Sequence, residues 1–121
     1  MGRALNLSQF QHNVTDGTTT VGTSYVVNGS AKAFSTYNQT TVSAESNFNI
    51  SSLTDVSAGL MRNNFSSSMS NATYNVITSA GSYNHSYATR NASFVDTENF
   101  SGAGSLTDGA RNSVAINGDL A

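Results

Sequence analysis

The sequence contains no cysteine and no tryptophan, only two histidines, and just five basic and seven acidic residues among its 121. Without cysteine there is no disulfide framework, no thiolate metal site and no cysteine nucleophile. The charges are scattered singly and sum to -2. No basic patch exists to neutralise phosphates, so nucleic acid is not an expected partner. No stretch approaches the ~20 consecutive apolar residues of a membrane span, and membrane insertion is not expected. The opening MGRALNLSQF lacks the apolar run of a signal peptide, and Asn6 stands where a myristoylation motif needs Ser or Thr. Synthesis in a cytoplasm is the expectation.

Core-forming residues are scarce as well. Leu, Ile, Val and Phe total 24 of 121, near the level of disordered chains, yet the low net charge argues for a folded domain with a thin core. Ser, Thr and Asn fill the difference with 49 residues. Thr favours strands, Asn and Ser favour turns, and helix is disfavoured almost throughout. A chain of this length makes one ordinary domain that buries about two-thirds of its surface. With so thin a core, part of the apolar surface is expected to be buried between subunits, in a homo-oligomer.

Along the chain, residues 1–20 differ from the rest. GRALNLSQF brings Leu5, Leu7 and Phe10 close together, and DGTTT follows as a flexible polar joint. Either a docking arm anchored by those three side chains or an edge strand or frayed terminus of the same domain fits this pattern. Residues 21–121 are expected to form a β-sandwich body. It opens with TVGTSYVV and SAKAFSTY around Asn28-Gly29, the pattern of a tight hairpin whose central residues take positive φ. In the second run Ala31, Ala33, Ser35 and Tyr37 share one face, with Lys32 and Phe34 on the other. TTVSAESNFNISS alternates with Val42, Ala44, Phe48 and Ile50 on one parity, which predicts a half-buried strand, and LTDVSAG then reads as a turn or short loop. GLMRNNF, ATYNVITSAGSY and ASFVDTENF add strands, SGAGSLTDGA a glycine-rich loop, and RNSVAINGD a last strand with Val114 and Ile116 on one face. Some seven short strands without a helical period predict an all-β fold, an antiparallel β-sandwich or jelly-roll-like domain with an extended N-terminal arm.

The search for chemistry is mostly negative. His12 and His85 have no partner at a spacing that marks a catalytic triad, and the chain is not expected to be an enzyme. No catalytic residue, cofactor or metal ligand set is assigned: Asp96, Glu98 and Asp119 lack the dense pattern of a calcium loop. Asp96 and Glu98 would share one strand face, where their repulsion calls for a cation or an arginine such as Arg90 or Arg111. Tyr83 and Tyr87, four apart in a polar stretch, are candidate glycan contacts, because aromatic faces stack on sugars. The alternative is two strand tyrosines covering a core or an interface. Ten Asn-x-Ser/Thr sequons start at Asn6, Asn13, Asn28, Asn38, Asn49, Asn64, Asn71, Asn84, Asn91 and Asn99. A solvent-facing strand rich in these residue types generates such spacing without any glycosylation.

Four segments, AKAF at 31–34, SNFNISSLTD at 46–55, MSNATYNV at 69–76 and SVAINGD at 113–119, resemble in order and spacing a module recurring in proteins of marine and cyanobacterial tailed phages, among them tail-fibre-like and unassigned virion proteins. The resemblance covers about residues 24–119. It departs at Phe34, where the module is expected to carry tryptophan, and across SAGLMRNNF, where the module tends to have a glycine-rich turn and a tyrosine-containing strand. It implies a non-enzymatic structural protein on the outer surface of a tailed-phage virion, made in the host cytoplasm. The small size and lack of a shaft point to a capsid decoration protein or head fibre. A tail-fibre component or tip acting in host attachment is the alternative, and a glycosylated extracellular filament subunit a second one. By analogy with phage surface proteins the oligomer is expected to be a trimer. Its partners would be major capsid or tail proteins and, for the attachment reading, a host-surface glycan.

Overall fold

A computed structural model of the chain describes residues 13–121. The chain divides into two compact units at the junction of Ser30 and Ala31. In the first, β1 (Asn13–Asp16) pairs antiparallel with β2 (Thr19–Gly22), and α1 (Thr23–Gly29) follows. The joint expected over DGTTT is therefore a closed turn at Gly17-Thr18 between paired strands. The hairpin expected at Asn28-Gly29 is absent. That pair lies in the last turn of α1, which ends with Ser30 N–H donating to the Val26 carbonyl at 3.1 Å. Gly29 does not take the positive φ that a primed turn requires. Leu5, Leu7, Phe10 and His12 lie outside the described residues.

The second unit is an antiparallel β-sandwich, as expected. Its strands are β3 (Ala31–Asn38), β4 (Ser43–Phe48), β5 (Ile50–Ser57), β6 (Leu60–Phe65), β7 (Asn75–Ala80), β8 (Asn84–Asn91), β9 (Phe94–Phe100) and β10 (Asn112–Asn117). One four-stranded sheet, here sheet I, has the order β4-β3-β10-β7; sheet II has the order β5-β6-β9-β8. The chain changes sheets at Asn49, which takes φ of +55°. Its side-chain amide donates to the Lys32 and Ser67 carbonyls, and its Oδ1 accepts from Ser67 N–H. The single strand expected over residues 40–52 is thus two strands in different sheets. Ile50 faces the core, Phe48 faces outward, and every residue of β4 is exposed. LTDVSAG is not a loop: β5 runs through it to Ser57 before a tight turn at Ala58-Gly59.

Strand alternation sorts β3 and β10 cleanly. Ala33, Ser35 and Tyr37 of β3 and Asn112, Val114 and Ile116 of β10 are buried between the sheets. One end of this interior is apolar, with Ala33, Ile116, Ile50, Phe65, Val95, Met69 and Tyr74 in one cluster. Phe65 and Tyr74 meet edge to face with centroids 5.8 Å apart. Tyr74 donates to the Phe94 and Asn91 carbonyls, and burial pushes its pKa up to about 12.

The other end is polar. Tyr37 Oη meets Thr97 Oγ1 and His85 Nε2, and His85 Nδ1 donates to the Ser79 carbonyl at 2.9 Å. Asn99 donates its amide to Gln39 Oε1 at 2.9 Å, and Asn112 donates to the Gly109 carbonyl at 2.7 Å. Gln39, Asn63, Asn99 and Asn112 are all buried, and each keeps at least one amide atom without a protein hydrogen-bond partner. Burying so many amides is costly unless their geometry is held, so this end depends on tight loop packing.

Candidate functional site

That packing builds a cleft of about 360 Å³ at the polar end, lined by Thr40, Ser82, Tyr83, Asp108, Gly109 and Arg111 among others. Three connections converge on it. Gly81 N–H donates to the Arg111 carbonyl at 2.9 Å, drawing the β7–β8 turn against the start of β10. Gln39 N–H donates to the Gly109 carbonyl at 2.9 Å, tying in the end of β3. Gly59 N–H donates to Asp108 Oδ1 at 2.7 Å, fixing that carboxylate from the β5–β6 turn. Two glycines make this approach feasible. Gly59 has φ of +71°, and a Cβ on it would stand 2.5 Å from Thr107 N. A Cβ on Gly109 would stand 2.5 Å from Asn112 Oδ1.

Within the cleft, Arg111 and Asp108 do not pair with each other; the one ion pair among the described residues is Arg62–Asp96. Arg111 lays its stem along Gly81, and its guanidinium has no hydrogen-bond partner among the described residues. The Arg111 guanidinium, the Asp108 carboxylate held by Gly59, two hydroxyl side chains and one half-buried aromatic ring therefore surround the same space.

The second surface of interest is the outer face of sheet I. The register aligns Phe48 with Phe34, Phe34 with Ala115 and Ala115 with Ile77, one residue from each strand. Phe34, Phe48 and Ile77 are 38%, 55% and 56% exposed, and the two phenylalanine rings stack with centroids 6.0 Å apart. Beside this row Thr36 and Ser113 share a hydroxyl–hydroxyl bond of 3.2 Å. Lys32 is the one charged residue among the outward positions of β3, β10 and β7.

The outer face of sheet II is different in kind. Arg62 binds Asp96 through both nitrogens, at 2.8 and 3.0 Å, and lies 3.7 Å above the Phe94 ring. The carboxylate raises the Arg62 pKa further. Ser86 donates to Glu98 at 2.9 Å, and Asn64 bonds the Ser52 and Thr54 side chains. Asp96 and Glu98 do share a face, but the arginine between strands is Arg62 rather than Arg90 or Arg111.

Of the two candidate glycan contacts, Tyr83 lines the cleft and Tyr87 does not. Tyr87 stands on the edge strand β8 with the Arg90 guanidinium 5.0 Å from its ring centroid, and Arg90 also donates to the Tyr74 carbonyl. Asp108 carried no signal in the sequence, and Arg111 stood out there only as a candidate partner for Asp96 and Glu98. Asp108 and Arg111 lie in a glycine-rich loop more than 20 residues from Tyr83, and only the strand pairing brings them to it. His85 faces inward, where burial lowers its pKa against the opposing pull of the Ser79 carbonyl. Among the described residues no three His, Asp or Glu side chains converge as metal ligands would, and no helix is long and apolar enough to cross a membrane. Several sequons serve the fold: Asn99 is buried with its amide donated to Gln39, and the Asn49 and Asn64 amides donate within the sandwich. Comparison with family models, curated proteins and solved structures found no match to this chain.

Proposed function

We propose that the protein is a non-enzymatic structural component on the outer surface of a tailed-phage virion, a capsid decoration protein or head fibre that works as a homo-oligomer. The observation that carries this reading is the apolar row across sheet I. In a chain this poor in apolar residues, placing two phenylalanines and an isoleucine side by side in water is justified by a surface that covers them. A second copy of the same face suits it, since Lys32 and Glu45 are the charged residues on the four strands of that sheet and are opposite in sign, so apposed copies carry no single-sign field. Covering the half-exposed row contributes about 3 kcal/mol per protomer before association costs, so the contact is weak alone and strong when repeated on a particle. The phage-module resemblance supplies the setting, and three copies around an axis follow by the same analogy. Two measurements test the reading. Copy number per particle in the hundreds is expected for decoration. Sedimentation should show self-association that Phe34→Asp removes; a monomer at all concentrations overturns the shared-face contact.

A tail-fibre component or tip acting in host attachment is the second reading. It is favoured by the cleft, where the Arg111 guanidinium and the Asp108 carboxylate line one space without pairing with each other. Tens of copies per particle would support it over decoration.

A further inference from the structure

We propose that the cleft at the polar end of the sandwich binds a neutral, hydroxyl-rich carbohydrate, with Tyr83 as the stacking ring and Asp108 and Arg111 as the paired polar contacts. The argument is one of charge. Arg111 and Asp108 line one cleft without forming an ion pair. An anion there would gain from the guanidinium and be repelled by the carboxylate; a cation would meet the reverse. A sugar hydroxyl both donates and accepts, so adjacent hydroxyls satisfy a carboxylate and a guanidinium together without adding charge.

Shape and rigidity support the same class. The cleft volume of about 360 Å³ falls in the range of small-ligand pockets. Asp108 is held by Gly59 N–H through Oδ1, leaving Oδ2 for a ligand. The backbone bonds from Gly81 and Gln39 fix the walls, so little ordering entropy is lost on binding. Tyr83 offers a flat apolar face for the C–H side of a pyranose, and the Thr40 and Ser82 hydroxyls add adaptable partners. Tyr87, with the Arg90 guanidinium close to its ring, is left out of the site.

This inference deepens the attachment reading but is tested apart from it, because sugar binding by the purified chain does not depend on where in a particle the chain resides. The full chain, isotope-labelled, is titrated with glucose, galactose and N-acetylglucosamine, and with glucuronate and glucosamine as charged counterparts, while backbone amide shifts are followed. The expected result is a saturable shift confined to residues 81–83 and 108–111 with at least one neutral sugar, at roughly millimolar half-saturation. Each charged counterpart should bind more weakly than its neutral parent. Tyr83→Ala, Arg111→Met and Asp108→Asn should each weaken binding about tenfold. Asparagine at 108 can still accept the Gly59 bond, so that variant keeps the loop in place, and an unchanged amide spectrum outside the cleft confirms it. Absence of a saturable shift with all three neutral sugars, tighter binding of a charged counterpart, or binding indifferent to the three substitutions overturns the proposal. Copy number on the particle then judges the attachment reading by itself.

Discussion

The two outer faces of the sandwich are built from similar strands and solve the problem of facing water differently. On sheet II, polar side chains meet across strands: Arg62 with Asp96, Ser86 with Glu98, Asn64 with Ser52 and Thr54. Phe94 on that face lies under the Arg62 guanidinium. On sheet I, the register instead assembles Phe48, Phe34, Ala115 and Ile77 into one row, and no guanidinium shields those rings among the described residues. Composition averaged over the chain hides this contrast, because each face has about the same supply of Ser, Thr and Asn. What separates them is where the few aromatic and charged residues fall. Sheet II pairs its charged and aromatic groups with one another, whereas sheet I leaves its apolar row exposed.

The sharpest way to break the comparison is within β10, where adjacent residues face opposite ways. Ile116 is fully buried and Ala115 points outward. Ile116→Asp places an unpaired carboxylate in the core and should cost several kcal/mol, enough to unfold a domain with so few apolar residues. Loss of the cooperative thermal transition would show it. Ala115→Asp should keep the fold and abolish self-association. If Ala115→Asp unfolds the chain and the wild-type protein sediments as a monomer, the face belongs to the fold and not to an interface.

Next in size is the row itself. Phe34→Asp and Ile77→Asp should leave a folded protein that sediments as a monomer, whereas Thr54→Asp on sheet II should leave self-association untouched. Wild-type melting midpoints should rise with protein concentration, because mass action favours the associated folded state. The Phe34→Asp midpoint should not. Equal concentration dependence in both proteins would place the contact elsewhere.

These faces were only partly legible in the sequence, and the reasons are physical. Period-2 alternation put Tyr37 and Phe34 on opposite faces of one strand and Val114 with Ile116 on one face of another, because a regular strand leaves its side chains no other choice, but it did not say which face of β3 is the inner one. Alternation fails where the backbone leaves the strand. At Asn49 a positive φ turns the chain into the second sheet, so Phe48 and Ile50, of one parity, end on opposite sides. Asn28-Gly29 had the composition of a primed turn but lies in a helix without the φ such a turn needs. The cleft was the least legible part. Tyr83 stood out as an aromatic residue in a polar stretch, but Asp108 and Arg111 reach it only through β7–β10 pairing and the Gly81–Arg111 bond. No spacing along the chain announces a contact of that kind.

A smaller effect probes how firmly sheet II is finished. Arg62→Ala would leave Asp96, a nearly buried carboxylate, without its bidentate partner and would uncover the Phe94 ring. Solvent screens the arginine end, which is about a third exposed, so the expected loss is about 1 kcal/mol. It should shrink at high salt. Denaturant titration at low and high ionic strength measures both.

The smallest expected effect separates the interior from both faces. His85 is the one histidine among the described residues, and it faces inward, with Tyr37 Oη and the Ser79 carbonyl on its two ring nitrogens. Neither facing group carries charge, and burial holds its pKa below the ordinary 6.5. The folded state therefore binds a proton less readily than the unfolded chain. Stability should be complete above pH 6.5 and fall as the pH drops from about 6.5 through the folded value. At pH 6 the loss from this one group is at most about 0.8 kcal/mol. Melting curves between pH 7.5 and 5.5 should show it, and His85→Gln should flatten the profile in that window. A pH dependence that survives the substitution would assign the titration to His12, which His12→Gln then tests directly.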